Sequence, residues 1–336
     1  MSEAIAARSV EFMLSNSGYY FGETNEKYSV GFYGGEPLLN FRTIKYCIDY
    51  VKSKSTEIAE RTHFSMTTNF TAVTMEVMEY LVDNNVSVLV SLDRPEEMND
   101  RYRKTKGGTG TFRNVMKNIE RLRKMNSEYF KKKVGFSIVL APPYDIKSVL
   151  KFFEENDFLL NRVILLSFVD EDDTNFFERF TNMEQIDYDL GCQLAELKSA
   201  YIKMLLEEER NSPGYQFMSN LFEDRIRDIY KRCLVRLQGQ VFPNGICLPG
   251  VQKLLISPDG KFHICEKIGH LFPIGDLYNG FDIDKIYRLI YEYISISESD
   301  CINCWAVRFC KACFIRAIKG EHMSLERKRR HCEEIK

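Results

Sequence analysis

The sequence predicts an α/β fold with a parallel sheet, followed by a helical segment and a small cysteine-rich domain. Strands alternate with helices through the first half of the 336 residues, at about thirty to forty residues per strand–helix unit. Seven of the ten cysteines lie in roughly the last ninety residues, and this crowding separately predicts the small cysteine-rich domain. A net charge of −2 provides no basic surface that would indicate nucleic acid binding.

The chain opens on a predicted amphipathic helix, Ser2 to Ser15. Lys27 to Tyr33 is a short strand, because its apolar residues alternate. It runs into Gly34-Gly35-Glu36-Pro37, a turn whose proline suits the first position of a helix. Leu38 to Lys52 is then helical. Cys47 falls among the apolar residues of this helix, and we interpret it as a core residue.

Four more strands follow, each bounded by turn or helix signals. They are Thr62 to Asn69, Val86 to Ser91, Lys133 to Leu140 and Arg162 to Val169. The predicted helices between them are Thr74 to Asn84, Thr111 to Met125 and Ile146 to Asn156, and Glu96 to Gly110 is predicted as a polar loop. A parallel sheet results, flat or curved into a barrel. Its polar and glycine-bearing segments come after the strands, where α/β folds bind ligands.

The second half changes character. Residues 171–230 are acidic and then helical from about Asp187 to Arg210, which indicates a helical bridge. Lys253 to Ser257 and Lys261 to Cys265 predict a hairpin around Pro258-Asp259-Gly260, and this hairpin would bring Cys247 near Cys265. Leu325 to Glu334 is a final short helix. The predicted domains are therefore 1–170, 171–232 and 233–336.

The cysteines of the last domain are spaced as metal ligands. Cys301, Cys304, Cys310 and Cys313 form a C-x2-C-x5-C-x2-C run, with Cys332 after it and Cys247 and Cys265 before it. The alternative is disulfides, but the sequence shows neither a signal peptide nor a membrane-spanning run, so we expect a reducing, cytoplasmic location. Seven thiols exceed the needs of one zinc ion, so two clusters or a zinc pair fit better. Cys192 and Cys233 are interpreted as core or surface thiols. Cys233 lies only fourteen residues before Cys247, so metal binding stays open as its alternative role.

These residues resemble a known domain. Cys247, the string Gly260 to Cys265, the cysteines at 301, 304, 310 and 313, and Cys332 are similar in order to the SPASM domain, which binds two auxiliary [4Fe-4S] clusters in radical S-adenosylmethionine (SAM) enzymes. One spacing departs from the pattern, since only two residues separate Cys310 from Cys313. The resemblance implies two auxiliary [4Fe-4S] clusters.

The first half resembles the same superfamily. Gly34, Gly35 and Glu36 match the GGEP motif, whose backbone and glutamate hold the SAM amino group in that superfamily. Ser91 and Arg103 resemble the residues that contact the SAM ribose and carboxylate, and Asn69, at a strand end, is expected to join them. The resemblance implies SAM as a cofactor. It also implies a partial (β/α)6 radical SAM barrel that lacks its first strand, followed by a helical bridge and a SPASM domain.

Short strings narrow the resemblance. Gly245 to Gly250, Cys265-Glu266, Ile274 to Asp276 and Cys304 to Ala306 are most similar to the ranthipeptide-type maturases, which form thioether links in cysteine-rich ribosomal peptides. The implied partners are such a precursor peptide and an electron donor such as flavodoxin or ferredoxin, without nucleic acid or membrane.

One defining element of the superfamily does not occur in the sequence. No C-x3-C-x2-C triplet precedes Gly34, although such a triplet holds the third [4Fe-4S] cluster, which cleaves SAM. We expect either a fragment of a longer enzyme or a degenerate member, and in either case no SAM cleavage by these residues alone. The alternative function is a non-catalytic iron–sulfur or zinc protein for electron transfer or peptide binding.

The resemblance also divides the seven thiols. Cys301, Cys304, Cys310 and Cys332 are implied ligands of an outer cluster, leaving Cys247, Cys265 and Cys313 for an inner one. We hypothesise an open iron on the inner cluster, facing the barrel mouth, where a substrate thiolate would bind. Cys233 is the alternative fourth ligand. Glu266, next to Cys265, is a candidate proton acceptor, although an exposed structural carboxylate is the simpler interpretation.

Overall fold

The structure is a computed structural model that describes residues 1–21, 28–93, 95–160, 162–169, 174–231, 247–251, 253–268, 272–307, 310, 312–319 and 322–335. The chain forms two compact units. We call Tyr28–Phe41 with Thr62–Arg227 the sheet unit, and Met1–Lys27, Arg42–Arg61 and Asp228–Lys336 the C-terminal unit. The three predicted domains, with boundaries after residues 170 and 232, remain a proposal.

Helices and strands alternate through the first half of the chain, and the second half is mainly helical with short strands. In chain order, the helices are α1 Glu3–Phe21, α2 Phe41–Lys54, α3 Thr56–Arg61, α4 Met75–Asp83, α5 Glu96–Tyr102, α6 Phe112–Met125, α7 Ser127–Lys133, α8 Ile146–Glu154, α9 Met183–Leu206, α10 Pro213–Lys231, α11 Ile283–Cys301 and α12 Leu325–Ile335. The strands are β1 Tyr28–Phe32, β2 Thr62–Thr68, β3 Ser87–Ser91, β4 Val134–Leu140, β5 Ile164–Phe168, β6 Leu255–Ile256, β7 Lys261–His263, β8 Gly275–Asp276, β9 Gly280–Phe281, β10 Ile318–Lys319 and β11 His322–Met323.

The sheet unit contains a five-stranded sheet in the order β1-β2-β3-β4-β5, with every neighbouring pair parallel. This confirms the α/β prediction. Because all strands point the same way, the segments that follow β1, β2 and β3 meet at one edge of the sheet. Helix α6 buries Val115, Ile119 and Leu122, the apolar stripe expected of a helix packed on a sheet.

One segment differs from its prediction. Residues 96–110 were expected to be a polar loop, but helix α5 occupies Glu96–Tyr102. Asn99, fully buried, fixes this helix: its side chain accepts a hydrogen bond from the Asp93 backbone N–H at 3.2 Å and donates to Thr111 Oγ1 at 3.1 Å. The helix is short and polar, so tertiary contacts rather than an apolar stripe stabilise it. The sequence therefore shows no apolar periodicity from which the helix could be predicted.

The C-terminal unit is built on the predicted hairpin. Strands β6 and β7 pair antiparallel, Leu255 opposite His263, and Gly260 turns the chain with a φ of +85°. Its buried core includes Phe262, Tyr293 and Phe314. Phe12 of α1 packs on this core, with its ring centroid 4.5 Å from that of Phe262.

Cys47 and Cys192 lie where thiols that are not ligands are expected. Cys47 is buried in α2, and burial raises the pKa of its thiol to about 11. Cys192, in α9, is exposed. In the described part of the chain, no helix combines the length and apolar composition needed to cross a membrane.

Candidate functional site

The turn after β1 leaves open space beside its backbone. Gly34 has a φ of +149°, a conformation that favours glycine. Apart from adjacent residues of the chain, no atom of the described residues lies within 4 Å of the position where a Cβ would stand on Gly34 or Gly35. A ligand can therefore approach the peptide groups of this turn closely, as the GGEP resemblance requires.

Glu36, the next residue, is held by three donors. Its Oε1 accepts from the Leu38 N–H at 3.0 Å and from the Thr68 hydroxyl at 2.6 Å, and its Oε2 accepts from the Asn69 N–H at 2.7 Å. A carboxylate can accept at about four lone-pair positions. The donors among the described residues therefore leave one position for a ligand ammonium, and the carboxylate is already oriented by the segments that follow β1 and β2.

The turn after β2 is fixed from several sides. Thr68 is buried, and its hydroxyl both donates to Glu36 and accepts from the Phe70 N–H at 2.9 Å. Phe70 has a φ of +56°, uncommon for a bulky residue, and the Asn118 side chain donates to its carbonyl at 3.0 Å. Asn69 contributes its backbone N–H to Glu36, whereas its side-chain oxygen accepts from Thr71.

The segment that follows β3 supplies a half-buried ion pair. Arg103 donates to Asp93 through Nε at 2.7 Å and through a terminal nitrogen at 3.2 Å. The same carboxylate accepts from the Val139 N–H at 2.8 Å. A guanidinium has five N–H donors, so three of those on Arg103 remain for a ligand. Ser91 ends β3 at the same edge, and within the described residues no hydrogen bond joins it to Glu36 or Arg103.

The outer thiol site is a cavity of 220 Å³ in the C-terminal unit. Its lining brings together four of the predicted ligands, with charged residues beside them: Tyr293, Asp300, Cys301, Cys304, Val307, Cys310, Lys328, Arg329, Cys332 and Glu333. Cys301 ends helix α11, and the Cys304 N–H donates to its carbonyl at 3.1 Å, which forms the tight turn of the C-x2-C spacing. The Ala312 N–H donates to the Cys310 sulfur at 3.4 Å.

The inner thiol site is marked by Cys313, which is partly buried just before the turn at Phe314–Arg316. Burial raises the pKa of the Cys313 thiol; the Ile315 N–H and the Arg316 charge oppose the rise, whereas nearby Cys265 and Cys247 add to it. Cys247, Cys265 and Cys313 are the inner ligands implied by the SPASM resemblance, and their grouping remains a prediction. Cys233 lies outside the described residues.

The carboxylate of Glu266 forms an ion pair with a neighbouring lysine. Both of its carboxylate oxygens accept from the Lys253 ammonium, at 2.7 and 2.6 Å. Burial alone would raise the pKa of Glu266, but the hydrogen bond from Lys253 lowers it below its ordinary value. A carboxylate held in this way accepts a proton less readily, and its role as a proton acceptor remains a prediction.

The thiol chemistry fits iron–sulfur clusters. Every cysteine that the structure describes is free rather than disulfide-bonded. Among the same residues, no three His, Cys, Asp or Glu side chains converge closely enough to hold a single metal ion. A four-iron cube binds each of its thiolates through a different iron, and the four cysteines that line the outer cavity would supply four thiolates.

Part of the chain is similar to a known family. Residues 19–155, which contain the first four strands of the sheet, match the model of the radical SAM superfamily. This part of the chain is similar to radical SAM domains, and the five-stranded parallel sheet β1 to β5 resembles a partial radical SAM barrel.

Two curated relatives extend the likeness to named enzymes. The chain is 35% identical over 117 residues to the radical SAM cyclopropyl synthase TigE of Paramaledivibacter caminithermalis, covering 35% of this chain and 22% of that protein. It is 30% identical over 139 residues to the cysteine-type anaerobic sulfatase-maturating enzyme of Clostridium novyi, covering 41% of this chain and 36% of the relative. The chain thus spans well under half the length of either relative.

Solved structures show the same fold over the whole chain. Native anSMEcpe with bound AdoMet and Cp18Cys peptide has a TM-score of 0.66 and 19% identity, with 100% of this chain and 88% of that chain covered. Native anSMEcpe with bound AdoMet has a TM-score of 0.67 at 19% identity, with 86% of that chain covered. The C-terminal region therefore also resembles that of the anaerobic sulfatase-maturating enzyme.

Three residues of these sites were not identified from the sequence: Thr68, Asp93 and Lys328. Asp93 lies in the string Ser91-Leu92-Asp93, and its position ten residues before Arg103 could have suggested an ion pair between the two. The contacts of Thr68 with Glu36 and of Lys328 with Cys301 carry no local signal, because these partners lie 32 and 27 residues away in the chain.

Proposed function

We propose that this chain acts in radical SAM modification of a peptide, and that the modification is a thioether link in a cysteine-rich ribosomal peptide. The observation that supports this best is the cavity of the C-terminal unit, whose lining includes four of the seven thiols: Cys301, Cys304, Cys310 and Cys332. Four thiolates are the donor set expected for one auxiliary [4Fe-4S] cluster. Peptide-modifying relatives with the same fold support the wider class.

The sheet unit would bind SAM. When it is bound to a [4Fe-4S] cluster, SAM supplies a 5′-deoxyadenosyl radical that abstracts a hydrogen atom from the substrate. The vacant lone-pair position of Glu36 would receive the SAM ammonium through a charge-assisted hydrogen bond. The free donors of Arg103 and the Ser91 hydroxyl would receive the carboxylate and ribose. The C-x3-C-x2-C ligands of the SAM-cleaving cluster do not occur in these 336 residues, so we expect no cleavage by them alone.

The C-terminal unit would hold the auxiliary clusters and orient the peptide. Cys301, Cys304, Cys310 and Cys332 would close the coordination of the outer cluster, which suits electron transfer. Cys247, Cys265 and Cys313 would leave one position on the inner cluster for a substrate thiolate. The proposed setting is cytoplasmic, with a flavodoxin or ferredoxin as electron donor.

SAM binding tests the first half of the proposal. We expect weak binding of SAM by the reconstituted chain, and at least tenfold weaker binding after Glu36→Gln, because a hydrogen bond between charged groups is worth about 1.5–3 kcal/mol. Glu97→Gln, at an exposed position in the same unit, is the control. Equal affinity in the wild type and Glu36→Gln, measured by calorimetry, would exclude the proposed SAM site.

Peptide binding tests the second half. A cysteine-containing peptide should change the visible absorption of the reconstituted chain, whereas the same peptide with serine in place of cysteine should not. Identical spectra with the two peptides would contradict thiolate binding at an open iron.

The expectation that this chain alone does not cleave SAM has its own test. Formation of 5′-deoxyadenosine by this chain with dithionite would show that it cleaves SAM.

A second candidate is a non-catalytic iron–sulfur protein for electron transfer or peptide binding. The sequence observation that favours it is the missing C-x3-C-x2-C triplet. Genomic DNA encoding this triplet in frame upstream of Met1 would decide for the enzyme.

A further inference from the structure

Lys328 is a buried lysine on α12, with 1% of its surface exposed. Its Nζ lies 3.4 Å from the Cys301 sulfur and 4.0 Å from the Cys332 sulfur. Within the described residues, these sulfurs are the hydrogen-bond partners of the ammonium. A lysine that points into a cavity of thiols is therefore part of the outer site, although no metal-binding spacing includes it.

Burial of an ammonium away from water is costly unless a negative charge faces it. The neighbouring cation shows the contrast. Arg329 is paired with Asp300 through two hydrogen bonds, at 2.7 and 2.9 Å, so its charge is compensated by a carboxylate. Lys328 instead faces two sulfurs, which compensate an ammonium only as thiolates. A cluster bound to four cysteines carries net negative charge and would provide that compensation.

We infer that Lys328 supplies a fixed positive charge that makes the outer cluster easier to reduce. This inference rests on the proposed function, because it requires a cluster in the cavity. Reduction adds one electron from a low-potential one-electron donor, leaves the cysteine–iron bonds intact and makes the site more negative by one charge. An ammonium in contact with two ligand sulfurs stabilises this reduced form more than the oxidised form.

Three variants separate charge from structure. Lys328→Gln keeps a hydrogen-bond donor and removes the charge, whereas Lys328→Arg keeps both. Arg330→Gln removes the same charge from an exposed position on the same helix. Each full-length variant is reconstituted anaerobically, assayed for iron and sulfide, and titrated with dithionite while its reduced clusters are followed by electron paramagnetic resonance.

The wild type should show two one-electron reduction steps. In Lys328→Gln, the reduction potential of one step should fall by at least about 59 mV, which is a tenfold change in the equilibrium constant of a one-electron reduction. The potential of the other step should not change. The moving step should be the one that survives in Cys313→Ala, which removes an inner ligand. Lys328→Arg and Arg330→Gln should keep both steps of the wild type.

The outcomes distinguish this inference from the proposed function. If the wild type binds no iron, both fail. If it binds about eight irons and Lys328→Gln leaves both potentials unchanged, the inference alone fails. If Lys328→Gln loses the outer cluster altogether, Lys328 serves cluster assembly rather than potential, and the inference is again overturned.

Discussion

The ion pair of Asp93 and Arg103 shows how far single residues can be assigned from sequence. Arg103 was singled out by its resemblance to a SAM contact, and the structure gives it a partner that the motif does not name. Asp93 joins β3 to β4, because it also accepts from Val139 in the neighbouring strand. That role depends on the register of two strands, which a local sequence pattern does not contain.

Replacing Asp93 with Asn should destabilise the sheet unit by about 2 kcal/mol, because Arg103 would lose its charged partner in a half-buried site. Urea unfolding followed by circular dichroism measures this. The matched control is Glu96→Gln, which breaks an ion pair with the largely exposed Arg113 and should cost less than about 1 kcal/mol. Equal effects of the two substitutions would contradict a structural role for Asp93.

Cys233 decides whether the inner cluster has an open iron. If the site is open, Cys233→Ala should retain about eight irons per chain and keep the spectral change caused by a cysteine-containing peptide. Cys192→Ala, at an exposed position in α9, is the control for loss of a thiol. Loss of about four irons from Cys233→Ala alone would make Cys233 the fourth ligand and would end the open-site mechanism.

Among the elements, those with strong local signals were predicted best. The β6–β7 hairpin follows from Pro258-Asp259-Gly260, and the five parallel strands follow from apolar runs bounded by turns. Helices α3, α5, α7, α10 and α11 were not predicted as separate elements. The grouping of α1 with the C-terminal unit also carries no sequence signal, since it depends on Phe12 reaching Phe262 across 250 residues of chain.

The hairpin turn should make stability depend on pH in acid. The Ser257 hydroxyl, and secondarily Lys261, lower the pKa of Asp259 from its ordinary value of 3.8 to about 2. A carboxyl with a lowered pKa in the folded state stabilises it above the unfolded pKa, and this contribution is lost as pH falls through the folded pKa.

Asp259→Asn should therefore destabilise the C-terminal unit near neutral pH, and the difference from the wild type should shrink between pH 4 and pH 2. Urea unfolding of both proteins, followed by circular dichroism at each pH, measures this difference. A difference that stays constant across this range would show that the Asp259 carboxylate does not have the lowered pKa.

At the scale of the whole molecule, the order of the cysteines carried most of the functional prediction. Their spacing indicates metal ligands, and the resemblance divides them into two groups. The structure brings four of them to one cavity, whereas the grouping of Cys247, Cys265 and Cys313 stays a prediction. The charges around the outer cavity could not be predicted, because Lys328 and Arg329 reach it from α12, a helix whose sequence is simply polar.

The central claim is that these thiols hold two [4Fe-4S] clusters. Iron and acid-labile sulfide, measured after anaerobic reconstitution, test it most directly. We predict about eight of each per chain, with about four irons lost in Cys301→Ala and a separate four in Cys313→Ala. Iron near zero, with two zinc ions bound per chain, would contradict the claim.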